Sequence, residues 1–189
     1  MQRITKDPEI RRQEIIDTAI QLFTEKGYEQ TSMLDITKKL NVSQGLCYRY
    51  FKSKEEIYQA ALENYVNQGI EVFRDLFGDD TKPLLTRLDN LHPLHAVSEN
   101  DNIYGEFVNK PQNSLFHTQM QLVLCDGLVP IMAEMLQQAN KNGEINIDNP
   151  VSTASFCIFG QLGIWLNTNI PDQDKTAQTK ALIKKAIGK

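Results

Sequence analysis

Cysteine is scarce in this sequence: three among 189 residues, an odd number at irregular spacing. That excludes a disulfide framework and points to a reducing compartment, so a cytoplasmic protein is expected. No run of about eighteen uncharged apolar residues occurs, so neither a transmembrane helix nor a membrane partner is expected. The N-terminal stretch MQRITKDPEIRRQ lacks the apolar segment of a secretory signal. Internal repeats, low-complexity tracts and the long apolar–polar alternation of half-buried strands are missing too. Of the three histidines, His92 and His95 lie three apart, but Pro93 separates them and no cysteine or carboxylate set accompanies them. No metal site and no cofactor is therefore expected. No convergent nucleophile or acid–base set is found, so no catalytic residue is assigned and the chain is not read as an enzyme. Cys125, Cys157 and His117 could suggest a thiol centre, but cysteine on an apolar helix is ordinarily a small buried hydrophobe.

What is present is a helical protein with an uneven charge. Hydrophobic residues make up 41% of the chain, enough for a core, and the net charge is −4. Residues 1–60 carry ten Lys and Arg against nine Asp and Glu, a head of +1 on a body of −5. A slightly basic head keeps DNA binding open if its cations share a face. Apolar residues recur at helical spacing throughout. Asp7-Pro8 opens a first helix, with Ile15, Ala19, Leu22 and Phe23 as its stripe and Lys26-Gly27 as its stop. Ser32 to Asp35 reads as a capping box for a short helix facing inward with Ile36 and Leu40. Asn41-Val42-Ser43 forms a tight turn, and Ser43 caps a third helix from Gln44 to about Phe51. Ser53-Lys54-Glu55-Glu56 opens a long fourth helix, and Gly78 to Pro83 breaks the chain. Beyond it, Leu84 to Leu91 looks helical, His92 to Pro111 reads as short helices with turns, and Leu115 to Ala139 is a long helix interrupted or kinked near Gly127 to Pro130. Val151 to about Leu166 and Asp174 to Ile187 close the chain.

Two short helices joined by a three- to four-residue turn are a helix–turn–helix, whose second helix enters the major groove. Within VSQGLCYRYFKSKEEI, Cys47 and Phe51 share one side and would close a small core with Ile36, Leu40 and Val42. Gln44, Gly45, Tyr48 and Arg49 share the other. Gln44 can pair with an adenine edge or a phosphate, and Arg49 with a guanine or a phosphate. Tyr48 and Tyr50 can donate to phosphate oxygens, Leu46 can touch a thymine methyl, and glycine at 45 lets the backbone come close. Lys54 starts the fourth helix, where free N–H groups already favour an anion. The arm with Arg3, Lys6, Arg11 and Arg12 can also reach phosphates.

These residues carry a resemblance. RRQEIIDTAIQLFTEKGYEQTSMLDITKKLNVSQGLCYRYFKSKEEIYQAAL is similar to the DNA-binding domain of the TetR family of transcriptional regulators over roughly residues 8–62. F-x-x-K-G-Y-x-x-T-S, V-S-x-G-x-x-Y and Y-F-K-S-K-E all fall at the family spacing. The resemblance implies an all-α fold: an N-terminal three-helix helix–turn–helix domain, read as 1–53, and a C-terminal helical ligand-binding and dimerisation domain, 54–189. It also implies a homodimeric repressor on a double-stranded, near-palindromic DNA operator, released by a small-molecule effector. The family's tyrosine and lysine contacts map onto Tyr48 and Lys54, its cap residues onto Thr31 and Ser32, and its late recognition-helix aromatic onto Tyr50. Leu46 stands where threonine is common and Arg49 where tyrosine or histidine is common. Both departures bear on which operator is read. Helices 115–140 and 151–166 are expected to form the dimer bundle, the second being apolar on nearly all sides. Candidate effector contacts are His95, Tyr104, Phe107, Phe116, His117, Met120, Gln121 and Trp165.

Overall fold

A computed structural model describes residues 6–89 and 114–189 of the chain. The described residues form eight α-helices and no strands: α1 Pro8–Lys26, α2 Met33–Lys39, α3 Gln44–Tyr50, α4 Lys54–Phe77, α5 Leu84–Asp89, α6 Ser114–Lys141, α7 Pro150–Trp165 and α8 Asp172–Ala186. They fall into two compact units. The first contains α1, α2, α3, α4 through Tyr65 and α6 through Met120; the second contains α4 from Val66, α5, α6 from Gln121, α7 and α8. The fourth helix thus takes part in both.

Local chemistry sets the first unit's helix ends. The Asp7 carboxylate accepts from the N–H of Glu9 at 2.9 Å, and Pro8 occupies the first turn. The helix stops at Gly27, whose φ of 90° and ψ of 155° suit glycine alone. Ser32 and Asp35 make a complete capping box for α2. At its far end Asn41 takes a φ of 53°. Its N–H donates to Lys38 O at 3.1 Å, and that of Val42 donates to Thr37 O at 3.0 Å. Two such bonds around a left-handed residue satisfy carbonyls the helix end leaves free, and asparagine tolerates that conformation better than most residues. Ile15, Ile16, Ile20, Phe23, Ile36 and Ile57 are fully buried in the core beneath. An edge-to-face ladder crosses it, with ring centroids 5.1 Å apart for Phe23 and Tyr28, 5.2 Å for Tyr28 and Tyr58, and 4.5 Å for Tyr58 and Phe116.

In the second unit α4 and α6 approach closely where each has a glycine. A Cβ on Gly69 would lie 2.7 Å from a Leu124 methyl, and one on Gly127 would lie 2.8 Å from an Ile70 methyl. Of the interruption or kink expected near Gly127 to Pro130, the interruption is not observed: α6 runs through it as one helix, with Pro130 inside. Proline removes the bond to the carbonyl of Asp126, but both residues are exposed, so water can replace it. Thr118–Lys141 is long and apolar enough to cross a membrane by length and composition. Core helices of soluble proteins also pass that test, and 44% of its apolar window is buried. Asn149 caps α7, its side chain accepting from Ser152 N–H at 2.9 Å. At the other end of α7 the buried Lys175 ammonium donates to Trp165 O at 3.0 Å. The final helix begins two residues before the expected Asp174. The stretch read as short helices from His92 to Pro111 lies outside the described residues.

Candidate nucleic-acid interface

The second helix of the helix–turn–helix is seven residues long and starts at Ser43, whose hydroxyl accepts from Leu46 N–H at 3.3 Å. Its two sides divide as the spacing predicts. Cys47 is fully buried and Phe51 is 3% exposed. Gln44, Gly45, Tyr48 and Arg49 face solvent, while Leu46 and Tyr50 are half-buried. The Arg12 guanidinium lies 5.1 Å over the Phe51 ring and covers the inner side. A Cβ added at Gly45 meets nothing within 4 Å. Nothing in the fold itself asks for glycine there.

Charge pairing around this surface is selective. Lys26 pairs with Asp35 at 2.8 Å, Lys39 with Glu25 at 2.6 Å and Arg11 with Glu14 at 2.8 Å, and Lys6 also meets Glu14. Hydrogen bonds from Lys26 and then Ser32 hold the Asp35 carboxyl well below its ordinary range. Among the described residues, Lys38, Arg49 and Lys52 have no ion-pair partner. The acids of the head thus pair with Lys6, Arg11, Lys26 and Lys39, while Lys38 of α2 and Arg49 of α3 stay without an ion pair among the described residues.

The turn between α1 and α2 ties the start of α4 to this surface. Lys54 Nζ donates to Tyr28 O at 2.9 Å and sits 4.3 Å over the Tyr28 ring, and its side chain is 19% exposed. Tyr28 also donates its hydroxyl to Glu55 at 3.2 Å. Burial, then the Glu55 charge, pushes the Tyr28 phenol up to about 12. Thr31 is buried, its hydroxyl donating to Gly27 O at 2.8 Å, and Ser32 is occupied by Asp35. Both residues build the turn, with Ser32 at its exposed edge. The hub role of Tyr28 and the Arg12 contact were not anticipated. The only hint was the tyrosine after Gly27, since neither partner is a sequence neighbour.

The described candidate effector contacts fall in both units. Phe116 and Met120 are buried in the core of the first unit, with Phe116 against Tyr58. Gln121 and Trp165 are half-buried in the second unit. His95, Tyr104 and Phe107 lie outside the described residues, as do His92, Arg3 and the side chain of His117. The three thiols are buried, and burial raises all of them, Cys125 and Cys157 to about 11.

Residues 15–61 match the family model described as "Bacterial regulatory proteins, tetR family". The biofilm operon icaADBC HTH-type negative transcriptional regulator IcaR of Staphylococcus epidermidis is 43% identical over 60 residues, a stretch spanning 32% of this chain and 32% of that protein. The chain thus covers about a third of that relative's length. The fatty acid metabolism regulator protein of Bacillus subtilis is 27% identical over 169 residues, 86% of this chain and 84% of the relative. Among solved structures, Salmonella enterica GusR superposes with a TM-score of 0.68 at 20% identity, over 98% of this chain and 99% of that one. At that identity the likeness establishes the fold alone.

Proposed function

From the premise that this chain belongs to the TetR family of bacterial transcriptional regulators, we propose that it is a ligand-responsive repressor of the cytoplasm. It binds a near-palindromic operator as a homodimer and is released by a small-molecule effector. One observation carries the DNA reading: Gln44, Gly45, Tyr48 and Arg49 stand in solvent on one side of a capped helix whose other side is locked by Cys47 and Phe51. In this reading Gln44 and Arg49 meet base edges or phosphates, Tyr48 and Tyr50 donate to phosphates, and Leu46 touches a thymine methyl. The open space at Gly45 lets the duplex approach the backbone. Ser43 and Ser32 hold the ends of the two helices, Thr31 secures the preceding turn, and Lys54 adds its charge at the start of α4.

Pairing of two subunits is supported by apolar side chains in solvent. Phe156 on α7 is 69% exposed, and Leu166, the residue capping its C-terminal end, is 50% exposed. Leu122 and Val123 on α6 are also exposed, and Leu182 on α8 extends the α7 face. A dimer would set two recognition helices about 34–36 Å apart in successive major grooves. An effector would act by binding one spacing better than the other, since equal affinity shifts nothing. α4, which takes part in both units, is the element that would report its presence. The relative aligned along most of both chains is named for control of fatty acid metabolism, which supports a regulator of metabolic genes. No catalysis is assigned.

Fluorescence anisotropy on labelled duplexes of varied sequence tests the interface. Arg49→Ala is expected to change the order of preference among duplexes. Uniform weakening would confine Arg49 to phosphate, and unchanged binding would remove it from the interface.

A further inference from the structure

Arg87 on α5 is 5% exposed, and its charge has little to answer it. One guanidinium nitrogen donates to Phe77 O at 2.9 Å, at the C-terminal end of α4. That helix end offsets part of the charge. Among the described residues, the buried Nε has no acceptor and no carboxylate pairs with the group. A guanidinium has five N–H donors, and burying one without a counter-charge is costly. Arg87 lines a cleft of about 440 Å³ within the second unit, a volume in the range of small-molecule sites. Its other charged walls are Arg74, already paired with Glu71 at 2.9 Å, Lys141, Asp80 and Glu134. With Arg74 taken by Glu71, the remaining charges Asp80, Glu134 and Lys141 are exposed, and Arg87 is the one buried charge of the cleft without a carboxylate partner among the described residues. Phe77, Ile131 and Met135 supply an apolar wall beside it.

We infer that this cleft binds a small organic monocarboxylate, its carboxylate seated on Arg87 and its carbon skeleton against Phe77, Ile131 and Met135. A carboxylate accepts paired N–H bonds from a guanidinium and supplies the missing charge, which neither a neutral amide nor an alcohol can do. The site stands apart from the DNA-binding proposal, and its test contains no DNA.

Calorimetric titration of the full chain with benzoate, with its neutral isostere benzamide and with inorganic phosphate tests the assignment. Benzoate is expected to bind at least about tenfold more tightly than benzamide, and phosphate more weakly than benzoate. Arg87→Gln, with folding followed by circular dichroism, is expected to abolish benzoate binding. Glu134→Gln alters an exposed side chain and removes a competing negative charge; it is expected to tighten benzoate severalfold, and it stays informative if Arg87→Gln does not fold. Equal binding of benzoate and benzamide, no benzoate binding at millimolar concentration, phosphate in preference to benzoate, undiminished binding by folded Arg87→Gln, or unchanged affinity in Glu134→Gln would each overturn the assignment.

Discussion

Replacing Lys54 by methionine tests both the tether that the structure shows for its ammonium and the phosphate contact that we propose for it. Methionine keeps most of the apolar stem and removes the charge, so packing changes little. What is lost inside the protein is the charged hydrogen bond to Tyr28 O, the position over the Tyr28 ring, and a longer contact with Glu29, whose exposed carboxylate lies 4.0 Å from the ammonium. A hydrogen bond to a charged group contributes about 1.5–3 kcal/mol and a cation over an aromatic ring about 0.5–1 kcal/mol at a partly open site. The side chain is a fifth exposed, so the lower part of the range applies and Lys54→Met should cost about 2 kcal/mol. Urea denaturation reads this directly. The second part is the proposed contact with phosphate. Each phosphate neutralised steepens the dependence of log K on log salt by about 0.9, and a dimer carries two copies, so the slope should fall by about 1.8. Binding titrations from low to moderate salt, well below the urea range, measure it on folded protein. An unchanged slope would refute the phosphate contact, and unchanged stability would refute the tether.

Gly27→Ala should destabilise the chain by about 1–3 kcal/mol in urea, from backbone strain alone, because the added methyl meets nothing within 4 Å; a change below about 0.5 kcal/mol would refute the account of that turn. Phe156→Glu should convert the protein to monomers in sedimentation and remove operator binding, and a persistent dimer would contradict the pairing face. Alkaline titration should reveal Tyr58, whose phenol burial pushes up from 10.0 to about 12. The folded state then holds that proton more tightly than the unfolded state, so the contribution is complete below pH 10 and is lost as pH rises towards 12. Tyr58→Phe should flatten stability in that window, and an equally steep fall would count against the burial.

The parts of the fold that were legible are those whose causes are local. Asp7 before Pro8, Ser32 three before Asp35, and Ser43 before Gln44 fix helix ends with side chains a few residues away. The two sides of α3 followed from four-residue spacing, because Cys47 and Phe51 were the apolar pair. Pro130 does not interrupt α6, because proline's cost depends on whether the bereft carbonyl can reach water, which spacing does not reveal. The Phe23–Tyr28–Tyr58–Phe116 ladder and the burial of Arg87 were invisible for another reason: each joins residues far apart in sequence. Phe116 and Met120 lie in the core of the first unit, and spacing could not show this, since an aromatic or a methionine on a helix has the same signature whether it meets a ligand or a core. The charge of Lys54 is plain in the sequence, but its attachment to a carbonyl 26 residues earlier leaves no mark on spacing.

The account depends most on the solvent face of α3 gripping a duplex twice per dimer. Selection of bound sequences from a pool of random double-stranded DNA tests this most directly. Two inverted half-sites centred about one helical turn apart, or a multiple of it, are the predicted result. A bound pool with no enriched sequence, or a single unpaired half-site, would contradict it.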